Sequence, residues 1–264
     1  MPFALMSLMV ATGGRPEPAT LLWVVVAMVG ARSAAMAFNR LSDRHIDARN
    51  PRTADRHIPA GEVGAAGATI FIMFSSALVV AAWRLNPLCF ALSPVALAVV
   101  FFYSLTKRFS SWSHVFLGVA LAVAPVGAWL AATGSFAVFP LLVALGVTLW
   151  VAGFDTIYGC QDVEFDRRAG LHSLAVRHGT AGALVIARVL HVLAVAALCL
   201  AFGLEPSLGV TSLLGMVIMA GLLVWEHRIV RGGDLSRIDV AFFTVNSWIG
   251  VVLILFVALD LYLF

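Results

Sequence analysis

Apolar runs of roughly 20 residues follow one another almost without pause along this chain, and each is long enough to cross a ~30 Å hydrocarbon core as a helix. Nothing else in the sequence limits the fold as severely. Inside a bilayer only helices and closed barrels satisfy their own backbone hydrogen bonds, and the alternating pattern of barrel strands is absent. The 264 residues are 61% hydrophobic and 12% charged, with a mean hydropathy of +0.98, far from the balance of a soluble domain. The expectation is an all-α integral membrane protein. It forms one domain over residues 1–264, with about nine transmembrane helices bundled around a central cavity.

Taken in order, Met1 to Thr12 is apolar but too short to span alone, and it reads as a first helix whose start is missing. A second run from Ala19 leads to the polar stretch Asn39–Asp47, followed by a loop holding Arg49, Arg52 and Arg56 with Pro51, Pro59 and Gly61. Further helices are expected at about Glu62–Trp83, Pro87–Arg108, Ser113–Ala132 and from Val138 into a second polar stretch, Asp155–Asp166. A loop from Arg167 to Gly179 precedes the last three, at about Thr180–Phe202, Pro206–Ile229 and Asp239–Leu263.

The basic residues gather in alternate loops: Arg44, Arg52, Lys107, Arg167, Arg177, Arg228 and Arg237 on one side, against Arg15 and Arg84 on the other. The positive-inside rule places the richer side, and both polar stretches, in the cytoplasm of a cell whose inner membrane holds the protein, with the N-terminus inside. The net charge of +3 distributed this way argues for orientation signals and phosphate contacts rather than nucleic-acid binding. Cys89, Cys160 and Cys199 are odd in number and embedded in apolar surroundings, which suits small packing residues rather than a disulfide frame. No cleavable signal is visible at the start.

The two polar stretches share a grammar. Asp43 and Asp47, like Asp162 and Asp166, recur at i and i+4, a spacing that stacks carboxylates on one helix face. Each stretch ends an apolar helix and leads into a basic loop, so the chain reads as two pseudo-repeated halves. Stacked carboxylates repel, and a divalent cation is the natural counter-charge. Mg²⁺ commonly uses one or two protein carboxylates together with substrate phosphate oxygens. Two such ions, held by Asp43, Asp47, Asp162 and Asp166 with Asn39 as a neutral ligand, would grip one diphosphate, with Lys107, Arg44 and Arg56 neutralising the remaining charge. A diphosphate at the mouth of an oily cavity suits a polyprenyl substrate. The allylic cation left by its departure can be faced by Tyr103 and Tyr158. Arg32, deep in an apolar run, is expected to face a cavity or a structural partner. Asp155 is either a polar wall residue or the base that removes a ring proton. His114 and His191 read as satisfied interior groups, and Glu164 as solvent-facing.

These residues resemble the UbiA-type superfamily of intramembrane aromatic prenyltransferases. Its first motif matches Asn39, Asp43 and Asp47, and the Arg-x-x-Pro-x-Gly that follows matches Arg56, Pro59 and Gly61. Its Tyr-x-x-x-Lys matches Tyr103 and Lys107, and its second motif matches Asp155, Tyr158, Asp162 and Asp166. Arg32 falls where the family has a cavity-facing arginine. The resemblance covers nearly the whole chain. It implies a nine-helix bundle, Mg²⁺ dependence and transfer of an isoprenoid from polyprenyl diphosphate to a ring carbon of an aromatic acid, in menaquinone or ubiquinone biosynthesis. Asn50–Ala54 and Gln161–Asp166 with Gly170–Ser173 look like the branch linked to futalosine-route menaquinone, whose acceptor is a dihydroxynaphthoate-type acid; 4-hydroxybenzoate serves the ubiquinone branch.

A different class stays open on the residues alone. A transporter with cation-binding carboxylates suits pseudo-repeats equally well, but it expects its charges near the bilayer midplane. A phosphotransferase acting on nucleotide-activated lipid wants a compact Asp-Gly signature that does not occur.

Overall fold

The computed structural model describes residues 1–263, and all its regular structure is helical. A short helix α1 (Pro2–Ala11) precedes α2 (Pro18–Ser42) and the four-residue α3 (Arg44–Asp47). Then come α4 (Ala65–Val80), α5 (Pro87–Thr106), α6 (Ser113–Thr133), α7 (Val138–Gly159) and the short α8 (Val163–Arg168). The chain closes with α9 (Leu174–Leu204), α10 (Val210–Ile229) and α11 (Asn246–Leu263). Eight of the described helices are long and apolar enough to cross a membrane, and α1 is the shorter ninth.

Two boundaries differ from the sequence reading for local reasons. The loop expected to run to Gly179 is already helical from Leu174, because the Ser173 side chain accepts a bond from the Val176 amide and caps a new turn. Gly179 then breaks that turn at φ +70°, a conformation open to glycine, before the long span begins. The last helix is preceded by a π-helical turn over Val240–Val245 rather than starting as regular helix.

α7 is the centre of the bundle, packed on α9 and α6, while α1 fills the space between α6 and α11. Close approach explains the small residues on these faces: a Cβ at Gly118 of α6 would lie 2.2 Å from the Thr148 carbonyl of α7. The apolar core runs through Phe3, Val147, Phe154, Leu198, Met219 and Ile249.

A polar network crosses this core. The Trp150 indole donates to Asn246 Oδ1 (2.9 Å), and Asn246 Nδ2 donates to Glu226 Oε1 (3.3 Å). His191 meets His227 at 3.0 Å and the Trp150 carbonyl at 3.2 Å. Glu226 is fully buried and His191 is 2% exposed, so each bond replaces water that neither residue can reach. His191 is therefore an interior group with partners, as expected. Asn246→Ala strips Trp150 and Glu226 of a partner at once. It is expected to cost about 1–3 kcal/mol, seen as earlier thermal unfolding of the detergent-solubilised protein.

Candidate active site

The site lies where α2, α5, α6 and α7 meet at one end of the bundle, the end that carries most of the Arg side chains. There the carboxylates do not ride on one continuous helix, as the i, i+4 spacing predicts. α2 stops at Ser42 and Asp43 sits in the break, at φ −94°, ψ 5°. α7 stops at Gly159, and a 3₁₀ turn carries Asp162 into a second break at φ −98°, ψ 4°. The two halves thus use the same backbone device, a residue in the sparsely populated bridge region between two helices. Each break turns the chain so that both acidic stretches face one cavity.

That cavity, of about 170 Å³, is lined by Asn39, Asp43, Asp47, Asp155, Asp162 and Asp166 together with Arg52, Arg56, Lys107, Arg108, His114 and Tyr158. A second cavity of about 180 Å³ is lined by Asn39, Tyr103, Ser104, Lys107, Ser113, Leu117 and Asp155. Asn39, Lys107 and Asp155 border both.

Three of the acidic groups are held by arginine. Arg56 Nη1 donates to both oxygens of Asp47 (2.9 and 2.8 Å), and Arg108 Nη2 to Asp43 Oδ1 (3.1 Å). Arg52 grips Asp162 with both Nε (2.9 Å) and Nη2, while its Nη1 reaches the Tyr158 hydroxyl at 3.3 Å. Asn50 Nδ2 adds a third donor to Asp162 at 3.2 Å. The segment 48–64 that follows α3 is thereby a strap from the first acidic stretch to the second. It is folded locally by Thr53 Oγ1 on the Asp47 carbonyl and by the Arg52 amide on Asn50 Oδ1. The hydrogen bond with Asp162 raises the Arg52 pKa above its usual value, and burial raises that of Asp43 against the pull of Arg108 and Lys107.

Asp166 is buried and takes part in no ion pair among the described residues. Lys107, the only lysine in the sequence, is half-buried and also has no ion-pair partner among the described residues. Its carbonyl accepts from the His172 amide at 2.8 Å, which ties the segment after α8 to the end of α5.

Tyr158 stacks on Phe242 of the π-helical turn, with centroids 4.0 Å apart. Two residues from the sequence reading are not brought in. Arg44 turns its guanidinium back onto the Leu41 carbonyl at 2.9 Å, closing the end of α2. Arg32 shares Asn39's stripe of α2 but lies two turns deeper, about 10 Å along the axis; it is exposed on the bundle and lines neither cavity. Arg52, Asn50 and Arg108 are the site residues the sequence did not single out. Their signal was spacing from the acidic stretches, masked because arginines at a helix end also serve as orientation signals. Glu164 faces outward, 3.6 Å from Arg167.

Among the described residues no three His, Cys, Asp or Glu side chains converge closely enough to hold a metal by themselves. Two acidic clusters facing each other across an open cavity instead suit an ion that completes its shell with phosphate oxygens and water.

A model of the UbiA prenyltransferase family matches residues 1–248. The 4-hydroxybenzoate octaprenyltransferase of Pseudomonas fluorescens (strain Pf0-1) is 32% identical over 259 residues, covering 97% of this chain and 86% of the relative. The enzyme of that name from Shewanella woodyi is 30% identical over 256 residues, covering 97% and 88%. Among solved structures, the apo form of a UbiA homolog from Aeropyrum pernix K1 superposes with a TM-score of 0.89 at 30% identity, covering 98% of this chain and 95% of that one. A UbiA homolog from Archaeoglobus fulgidus, solved with GPP and Mg²⁺, shares the fold at a TM-score of 0.67 and 20% identity, covering 98% and 94%. These relatives carry the 4-hydroxybenzoate name, not that of the futalosine-linked branch that Asn50–Ala54, Gln161–Asp166 and Gly170–Ser173 resemble. Those short segments belong to the strap, to the turn and short helix after α7, and to the turn before α9.

Arg52→Ala should free the strap from Asp162. The measurable result is several-fold faster cleavage by trypsin within residues 48–64, against unchanged cleavage elsewhere.

Proposed function

Because the chain belongs to the UbiA prenyltransferase family, we infer that it moves a polyprenyl group from polyprenyl diphosphate to a ring carbon of an aromatic acid, with 4-hydroxybenzoate as acceptor. The observation that carries this reading is the meeting of Asp43, Asp47, Asp162 and Asp166, from distant parts of the chain, around one cavity at the ends of α2 and α7. Carboxylates at helix ends beside free space suit a diphosphate held at the mouth of a membrane cavity. A transporter wants them at the midplane.

The four aspartates with Asn39 would hold two Mg²⁺ ions. Bound there, Mg²⁺ supplies positive charge to the diphosphate oxygens as the allylic carbon–oxygen bond weakens. The chain's own cations share that task. Lys107 borders both cavities, has no ion-pair partner among the described residues and is placed to bind the leaving group. Arg56, Arg52 and Arg108 sit on carboxylates and can shift to phosphate once a substrate brings its own counter-ions. Tyr103 borders the second cavity and Tyr158 the first, where their rings would stabilise a carbocation; Tyr158 is stacked on Phe242 and already takes the Arg52 guanidinium 5.3 Å from its ring centroid. The second cavity, deeper along α5 and α7, suits the acceptor ring, with Asp155 at its border. Arg32 and Arg44 are left out of the binding set. The basic side of the bundle places the mouth in the cytoplasm and the protein in the cell membrane.

Purified protein given Mg²⁺, a polyprenyl diphosphate and 4-hydroxybenzoate should yield the prenylated acid and diphosphate, resolved by chromatography, and removal of divalent cations with a chelator should stop the reaction. A dihydroxynaphthoate offered in the same tube tests the acceptor: preference for it would overturn the assignment. Asp43→Ala and Asp162→Ala each remove charge that meets the leaving group, and each is expected to lower kcat by about 10²–10³-fold. Lys107→Ala should lower kcat and weaken binding of inorganic diphosphate. Unchanged diphosphate affinity would exclude it from the phosphate site.

A further inference from the structure

Substitution on an aromatic ring releases a proton, and a cavity closed by apolar helices needs a group to take it. Five aspartates line the site, and they are not held alike. Asp43, Asp47 and Asp162 are paired with guanidinium groups, which keep their protons under ordinary conditions and hold a permanent positive charge beside each carboxyl. Asp155 is paired with an imidazole instead: His114 Nδ1 lies 2.6 Å from Asp155 Oδ2. Asp155 also stands apart in position. It is seven residues before Asp162 on α7, deeper in the bundle, and it borders the second cavity as well as the first.

We propose that His114 and Asp155 form the pair that receives the proton displaced from the acceptor ring. Asp155 is the group that takes it, and His114 is the positioning residue that fixes which carboxylate oxygen faces the cavity. The proposal rests on the transferase reading above. The geometry of His114 is that of a support. Its side chain is 2% exposed, against 21% for Asp155, and it borders only the first cavity, so the carboxylate is the more open of the two and the one that reaches the second. His114 Nε2 has no hydrogen-bond partner among the described residues, and the ring packs on α7, where a Cβ at Gly159 would come within 3.0 Å of Cε1. A carboxylate oxygen accepts, so Nδ1 is the nitrogen that donates, and it donates to Asp155 Oδ2. That bond occupies one oxygen and leaves Oδ1 for the substrate.

The step balances without a further reagent. The allylic carbon–oxygen bond breaks and its electron pair leaves with the diphosphate. A π pair of the ring forms the new carbon–carbon bond. The C–H pair at that ring carbon returns to the ring, and the proton passes to Asp155. Asp155 also borders the first cavity, from which the proton is released to water.

The test uses the full chain in detergent, with Mg²⁺, a polyprenyl diphosphate and 4-hydroxybenzoate in ordinary and ring-deuterated forms. His114→Ala should lower kcat by roughly 10²-fold, within the range for general acid–base groups. The KM for polyprenyl diphosphate should not change, and a deuterium isotope effect absent from the wild type should appear, because proton removal becomes slow. His114→Asn, whose amide can still donate to Asp155, should recover a large part of the rate. Gly159→Ala, which keeps the imidazole and displaces it by a few tenths of an ångström, should give a milder loss with the same isotope signature, and it serves if His114→Ala does not fold. Wild-type product with no isotope effect in His114→Ala or Gly159→Ala, or His114→Asn no better than His114→Ala, overturns the pair alone. Absence of any wild-type product overturns the transferase reading and the pair with it.

Discussion

The bidentate contact between Arg52 and Asp162 joins residues 110 positions apart, and the architecture of the mouth depends on it. Five carboxylates near one cavity of an apolar bundle would repel one another strongly in the absence of counter-charge. The chain answers with arginines drawn from two segments: the strap after α3 supplies Arg52 and Arg56, and the end of α5 supplies Arg108. Because the strap starts at one acidic stretch and binds the other, neutralising the site and joining the two halves of the protein are one event. Each guanidinium is also about a third exposed or more, so the pairs are well placed to exchange partners rather than to lock the site.

The bundle beneath is organised to keep this end rigid. α7 is flanked by α6 and α9 at distances that only small residues permit, and its far face is tied to α10 and α11 by the Trp150–Asn246–Glu226 network. That network meets the π-helical turn through Asn246, and the turn carries Phe242, which supports Tyr158. A polar contact deep in the helices and an aromatic surface at the mouth are therefore parts of one packed unit.

Much of this was legible in the sequence. Length and hydropathy sufficed for the spans, since a run of roughly 20 apolar residues has few other fates, and the paired Asp spacing pointed to a shared site before any contact was known. What spacing could not supply was the backbone between the aspartates. The i, i+4 pattern implies unbroken helix, and the breaks at Asp43 and Asp162 arise from tertiary demands of the cavity, which leave no mark on periodicity. Arg52 and Arg108 were hidden for a related reason: arginines at the end of a membrane helix have a topological role that explains them fully until their partners are seen. Arg44, next to Asp43 in sequence, points its guanidinium to the Leu41 carbonyl instead of into the cavity, a difference of direction that spacing alone does not show. His114 was read as an interior histidine, which it is by burial. Its bond to Asp155 involves a residue 41 positions on, and no local pattern announces it.

Lys107 is the only lysine of the chain, and it borders both cavities. The protein thereby carries a built-in chemical handle. An amine-directed probe meets a single side-chain target, apart from the terminal amine, and that target stands at the entrance to the catalytic chamber. Occupancy of the chamber can be followed as shielding of one atom, Nζ, on the unaltered chain.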